Sequence, residues 1–228
     1  MKFSALLVFM FFVAPFVYAG AVTNSAADST ADSYQPGDHE LLFMPTAYTM
    51  PAGNAYFSDY ELALINYTIA PTSSTHIGLF SLFPITTSFM ETLTIGGKQN
   101  YYRSENFSGA LFASYTFKPG FYTLGNVFSF GHKSRSLHLG VTLTGDGNGG
   151  TEWLFLLGGR YDFSKKVSGI VEYTNGKSLM EDAKFNGLLT FGFRFRTESI
   201  SWELAGIRPL AETGDLLLIP LLKATICF

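Results

Sequence analysis

Apolar and polar residues alternate along most of the chain. From Phe107 to Phe117 the odd positions carry Phe107, Leu111, Ala113, Tyr115 and Phe117, and the even ones include Ser108, Ser114 and Thr116. Leu137 to Leu143 repeats the pattern, with His138, Gly140 and Thr142 between aliphatic residues. Trp153, Phe155, Leu157, Tyr161 and Phe163 alternate with Glu152, Arg160 and Asp162. Leu189, Phe191, Phe193 and Phe195 alternate with Thr190, Gly192, Arg194 and Arg196, and Ile200, Trp202 and Leu204 with Ser201 and Glu203. Successive side chains of a strand point to opposite faces, so each segment predicts a strand with one apolar and one polar face. No stretch after residue 38 has helical spacing. The uncharged run Leu62 to Met90 is interrupted by Pro71-Thr72-Ser73-Ser74-Thr75 and again by Pro84, which leaves pieces too short for a spanning helix and predicts two strands and a turn.

Short polar breaks at 71–75, 103–106, 131–134, 164–166 and 197–199 recur about every 30 residues, roughly two strands of ~10 plus connections. Between them fall the breaks 50–54, 84–90, 118–120, 145–150, 175–184 and 208–215, mostly longer. The expectation is an all-β fold of about 12 strands (10–14), with short turns and both chain ends on one side and most longer loops on the other. Lys118-Pro119-Gly120 is the exception, a short break where a long one was due.

The N-terminus and the composition narrow the setting. Lys2 is followed by an apolar run from Ala5 to Phe16 that ends at Val17-Tyr18-Ala19 before Gly20, the pattern of a cleaved secretory signal peptide over residues 1–19. Residues 20–38 are small, polar and acidic and are expected to form a flexible leader. From there the composition stays uniform, which predicts one barrel domain over residues 39–228. Charged residues make up 14% of the chain and aromatic ones 16%, a combination that excludes disorder. A formal charge of -3 without a basic cluster argues against nucleic acid as a partner. The single cysteine, Cys227, forms no internal disulfide and no Cys-rich metal site, and the histidines lack metal-ligand spacing. No cofactor is expected.

Alternation alone does not say which face meets the core. A soluble barrel or sandwich buries the apolar face, whereas a membrane barrel turns it to lipid. Three features favour lipid. About a dozen strands leave little chain for a second layer. Aromatic residues, among them Tyr56, Tyr60, Tyr101, Tyr102, Trp153, Tyr161 and Trp202, recur near strand ends, where amphipathic rings suit the membrane interfaces. The chain finishes with Leu222, Ala224, Ile226 and Phe228 on one face.

This last strand resembles the C-terminal signal of bacterial outer-membrane barrels. The stretch Leu42-Phe43-Met44-Pro45-Thr46-Ala47, followed by Gly53-Asn54-Ala55-Tyr56-Phe57-Ser58-Asp59-Tyr60, is similar to the start of an uncharacterised group of small outer-membrane barrels. The resemblance runs from about residue 40 to the end and implies a closed antiparallel transmembrane β-barrel. It further implies that the outer-membrane assembly machinery reads Phe228, Ile226, Ala224 and Leu222. The expected location is the bacterial outer membrane, and the expected partners are the lipid bilayer, that machinery and small solutes. Pro220 departs from the pattern, because it removes a ladder hydrogen bond, and predicts a bulge in the last strand.

Lipid on the apolar face places Asp59, Glu61, Lys98, His138, Glu152, Arg160, Asp162, Glu172, Arg194, Arg196, Glu203 and Lys223 toward the lumen. A plug of mutually paired side chains and a narrow polar pore fit this list equally. Arg194 and Arg196 on one strand, with Glu203 on the next, are the leading candidates to line either. Enzyme chemistry is not expected. His132 and Ser134 fall in a short turn without an orienting carboxylate, and Gly145-Asp146-Gly147-Asn148-Gly149-Gly150 reads as a hairpin loop that lacks the distal acid of a calcium loop. The expected role is a non-enzymatic small passive pore or structural barrel. The alternatives are binding or lipid activity through loops 145–150, 175–184 and 208–215, and a soluble secreted barrel with an apolar core.

Overall fold

A computed structural model describes residues 34–61, 63–82, 89, 91–118, 120–147, 149–175, 185–211 and 218–228. The expected signal peptide 1–19 and residues 20–33 of the expected leader 20–38 lie outside the described residues. Twelve strands are described: β1 (Ala55–Tyr60), β2 (Leu64–Thr72), β3 (Thr75–Leu82), β4 (Thr94–Arg103), β5 (Phe107–Thr116), β6 (Phe121–His132), β7 (Arg135–Gly145), β8 (Thr151–Asp162), β9 (Val167–Thr174), β10 (Phe185–Arg196), β11 (Ile200–Ala211) and β12 (Ile219–Cys227). Each pairs antiparallel with its sequence neighbour, and β1 pairs with β12, so the sheet closes and no edge remains.

The apolar face points outward. Leu111, Leu139, Phe155, Phe193 and Trp202 are 39–58% exposed although they are among the largest apolar side chains of the chain. A continuous greasy outer band on a closed antiparallel barrel defines a transmembrane β-barrel, because such a band is stable only against hydrocarbon. This removes the soluble barrel from consideration. Charge on this band should be costly. Leu157→Arg, on the outer face of β8, is expected to lower the stability of the barrel folded in lipid by about 2–4 kcal/mol, less if its depth is near an interface. Urea titration of the vesicle-folded protein measures this, and an unchanged midpoint would place Leu157 away from lipid.

Short connections at 73–74, 104–106, 133–134, 163–166 and 197–199 form one end of the barrel. Two expected breaks are corrected. Residues 50–54 do not join two strands but lead into β1, and the true β1–β2 connection is the tight turn at 61–63. Residues 208–211 continue β11. The expected bulge at Pro220 is also absent, since β11 and β12 pair without a register shift through Gly206 and Pro220. The N–H of Leu222 and its carbonyl both face Glu61 at the end of β1. Pro220, two residues earlier, therefore turns its missing donor to the same side, where β1 has already ended.

The interior departs most from expectation. Residues 36–50 are not part of the wall; they are buried inside the lumen. This segment enters from the short-turn end, reverses at Leu41–Met44, where the Leu41 N–H donates to the Met44 carbonyl at 2.8 Å, and returns to Pro51. A bridge between Glu40 and Pro45 and a hydrogen bond from Thr46 N–H to the His39 carbonyl at 3.1 Å make it a narrow hairpin.

Nor is the inner wall polar throughout. The half nearer the longer loops carries Leu64, Phe80, Phe112, Leu156, Ile207 and Leu221, all buried, in one cluster with the hairpin tip Leu41, Leu42, Phe43 and Met44. Burying each such side chain stabilises by about 1.5–3 kcal/mol, so the tip contributes more than the hairpin's few internal hydrogen bonds.

Candidate functional site

The candidate site is the seam between the lumenal hairpin and the wall. Cross-strand register builds its centre: Arg194 of β10 is paired with Glu203 of β11, which is paired with Lys223 of β12. The Arg194 Nε lies 2.5 Å from Glu203 Oε1, and Lys223 Nζ lies 3.2 Å from Glu203 Oε2. All three side chains are fully buried, so the charges are stable only because each has partners. The hairpin supplies the rest. Arg194 donates from Nη1 to the Gly37 carbonyl at 2.6 Å and from Nη2 to the carbonyls of Glu40 and Leu41 at 3.0 and 2.5 Å. Lys223 donates to Glu40 Oε1 at 2.6 Å and to the Leu42 carbonyl at 3.1 Å.

Further wall residues grip the hairpin. Lys98 on β4 donates to the carbonyls of His39, Thr46 and Tyr48 at 2.8, 2.9 and 2.7 Å. Glu172 on β9 accepts the N–H groups of Leu42, Phe43 and Met44 on Oε1 at 2.6, 3.0 and 3.0 Å, a carboxylate held in a backbone nest. Arg160 on β8 pairs through Nη1 with Asp38 at 2.6 Å and through Nε and Nη2 with both oxygens of Asp162 at 2.8 Å. On the opposite wall Ser129 Oγ accepts the Ala47 N–H at 2.8 Å and lies 2.7 Å from His138 Nδ1, whose Nε2 meets Ser136 Oγ at 2.8 Å. The Ser129 oxygen is thus engaged by the hairpin backbone, and His138 orients a clamp.

The structure therefore brings Lys98, His138, Arg160, Asp162, Glu172, Arg194, Arg196, Glu203 and Lys223 to the inner wall around the hairpin, and Glu152 shares their face near the longer-loop end. Asp59 and Glu61 are corrected. The inner positions of β1 are Tyr56, Ser58 and Tyr60, so Asp59 lies on the outer face, and Glu61 is exposed beyond the strand. The reason is packing. The Tyr56 ring stacks on His39 with centroids 3.8 Å apart and the Tyr60 ring on Phe43 at 6.0 Å, so hairpin contacts set the parity of β1. This also withdraws Tyr56 and Tyr60 from the interfacial aromatics. Tyr101, Tyr102, Trp153, Tyr161 and Trp202 do face outward.

Space for the hairpin comes from glycine. A Cβ at Gly158 on the inner face of β8 would meet Leu41 Cδ1 and, at 3.1 Å, Met44 Sδ. Gly158→Val is expected to cost about 1–3 kcal/mol and to push the tip off β8. The checks are the thermal midpoint and protease cleavage between residues 34 and 50; a variant as resistant as the parent would contradict this packing.

Glu40 is held charged. Burial alone would raise the pKa of its carboxyl, but Lys223, and His39 with Nε2 at 3.1 Å, outweigh that and keep it well below the usual carboxylate range. Burial in turn lowers the His39 pKa. A carboxylate with a depressed folded-state pKa contributes stability above its unfolded pKa and loses it only as pH falls through the folded value. The Glu40 clamp is therefore expected to hold as pH falls from about 8 to about 6.5, above the ordinary histidine pKa, below which the buried His39 begins to cost stability. Equal protease resistance of the hairpin across that range is the check, and cleavage that appears within it would refute the clamp.

Among the described residues no cluster of three His, Cys, Asp or Glu side chains could hold a metal ion. His132 ends β6 and Ser134 lies in the following turn, while Asp146 lies at the other end of the barrel. Residues 176–184 and 212–215 of the longer loops lie outside the described residues.

The fold defines the class of a closed transmembrane barrel. Comparison with solved structures finds porins at low identity. A triple mutant of the Rhodopseudomonas blastica porin aligns over 90% of this chain and 71% of its own, at 12% identity and a TM-score of 0.42. Salmonella typhi OmpF in complex with daunomycin aligns over 73% and 61%, at 10% identity and 0.40. An anion-selective porin from Comamonas acidovorans aligns over 72% and 57%, at 13% and 0.35. No family model and no curated protein sequence matches the chain.

Proposed function

We propose that the chain is a non-enzymatic outer-membrane β-barrel whose lumen is a passive conduit closed by its own segment 36–50. The observation that carries this reading is the direction of the hydrogen bonds. Wall cations Lys98, Arg194 and Lys223 bind backbone carbonyls of the hairpin, and Glu172 binds its amides. These are groups that a chain offers wherever it passes, so the wall is built to hold a strand of polypeptide across the bore. Export by the cleaved signal peptide 1–19 and insertion by the assembly machinery fit this reading, since Leu222, Ala224, Ile226 and Phe228 share the outward face that machinery would read.

The test is conductance in planar bilayers. The intact chain is expected to be silent. A variant with residues 36–49 replaced by a Gly/Ser linker of equal length, shown to be folded by its heat-modifiable gel mobility, is expected to open stable channels. Equal conductance from both proteins would show that the hairpin does not close the bore.

A further inference from the structure

With the hairpin regarded as a bound ligand, its chemistry describes what the lumen accepts. Among the described residues five Lys or Arg side chains are buried: Lys98, Arg160, Arg194, Arg196 and Lys223. The wall acids paired with them are Asp162 and Glu203, the third, Glu172, is engaged by the hairpin amides, and the hairpin adds Asp38 and Glu40. The hairpin thus supplies the two negative charges that the wall lacks. Even then Arg196 is under-served. It is 4% exposed, yet among the described residues its Nε and Nη2 have no hydrogen-bond partner, and its Nη1 reaches Gln35 Oε1 at 3.3 Å and Asp162 Oδ2 at 3.5 Å. A buried guanidinium with two idle donors can take an anionic oxygen. Directly beyond the acids the hairpin is greasy: Leu41 to Met44 fill the apolar half of the lumen against Phe80, Phe112, Leu156 and Leu221. Acid head toward the short-turn end and apolar tip toward the longer loops is the profile of an amphiphile.

We infer that the lumen is a binding site for a single-chain amphiphilic anion, an alkyl carboxylate or alkyl phosphate, that takes the place of the hairpin. Its head replaces the carboxylates of Asp38 and Glu40 between Arg160, Arg194, Arg196 and Lys223, and its chain replaces Leu41–Met44. A small hydrophilic anion would leave the apolar half unfilled, and an alkyl cation would meet an uncompensated positive wall. The inference rests on the reading that the hairpin closes the bore, and adds that it can leave.

The experiment uses the full chain in phosphatidylcholine vesicles, carrying Ala47→Cys with Cys227→Ala, and follows labelling of the introduced thiol by a membrane-impermeant maleimide. Ala47 is fully buried, so labelling reports hairpin departure. Decanoate and decyl phosphate are each expected to speed labelling about tenfold, equivalent to about 1.4 kcal/mol of bias toward the open state. Acetate, inorganic phosphate and decyltrimethylammonium should leave it unchanged. Decyltrimethylammonium acting as well as decanoate would reduce the effect to partitioning, and acetate or phosphate acting as well would show that the tail is not read; either overturns the inference. Glu172→Gln in the same background separates the two levels. If it exposes the thiol and decanoate has no effect, the amphiphile site fails while the displaceable hairpin stands. If neither exposes the thiol, the hairpin does not leave and the amphiphile site fails, while closure of the bore stands or falls on the conductance of the linker variant. Met50→Cys, also fully buried, serves if the first cysteine prevents folding.

Discussion

Arg194→Ala is expected to cost about 3–5 kcal/mol, the usual penalty for stripping one partner from a buried ion pair. The loss has three parts. Glu203 keeps Lys223 and a long hydrogen bond from Ser201 Oγ, and the carbonyls of Gly37, Glu40 and Leu41 lose their donor inside the packed lumen. The hairpin should detach before the wall unravels, because the wall ladder around Arg194 is backbone-paired on both sides to β9 and β11. A urea titration of the vesicle-folded protein, followed in parallel by hairpin proteolysis and by gel mobility, is expected to show two transitions where the parent shows one. Arg194→Lys keeps the charge but not the fork that serves Glu203 and three carbonyls at once, so it should recover only part of the loss. A single unshifted transition in Arg194→Ala would mean that the hairpin is held by its apolar tip alone.

Replacement of residues 36–49 by a Gly/Ser linker should have the largest effect on conduction. It removes four buried apolar side chains, Leu41 to Met44, from the cluster with Phe80 and Phe112, and it removes Asp38 and Glu40 from the cationic wall. The wall then holds Lys98, Arg160, Arg194, Arg196 and Lys223 against Asp162, Glu172 and Glu203, with Glu152 nearer the longer loops, so the channel that opens is expected to favour anions. A reversal potential in a salt gradient gives the sign. Cation selectivity would place these side chains out of reach of permeating ions.

The alternating strands were legible because each carries its own evidence. In β8, Trp153, Phe155 and Leu157 against Glu152 and Arg160 identify both the strand and its two faces without reference to any other residue. That Arg194 and Arg196 share a strand with Glu203 on the next was legible too, since the turn at 197–199 is short, while the pairing of Arg194 with Glu203 comes from the register of β10 and β11. β1 was not. Its two faces, Tyr56-Ser58-Tyr60 and Phe57-Asp59, are equally mixed, and the decision between them comes from the stacking of Tyr56 on His39 and Tyr60 on Phe43. The apolar lining escaped for a related reason: Phe80, Phe112 and Leu156 occupy inner positions in strands whose outer positions are also apolar, so period two weakens where both faces bury surface.

By itself the sequence determined strands of period two, each with one apolar and one polar face, because alternation is a local property that each strand records in its own residues; that the apolar face points outward and that the sheet closes are decided by the structure. The tertiary structure alone decided what fills the barrel. The hairpin at 36–50 has no periodicity to read, and its partners lie far along the chain, Glu172 opposite Leu42 and Lys223 opposite Glu40. Bonds to main-chain carbonyls and amides leave no mark on the residues that provide them, since every residue has those groups; only closure of the barrel brings the wall charges to bear on them.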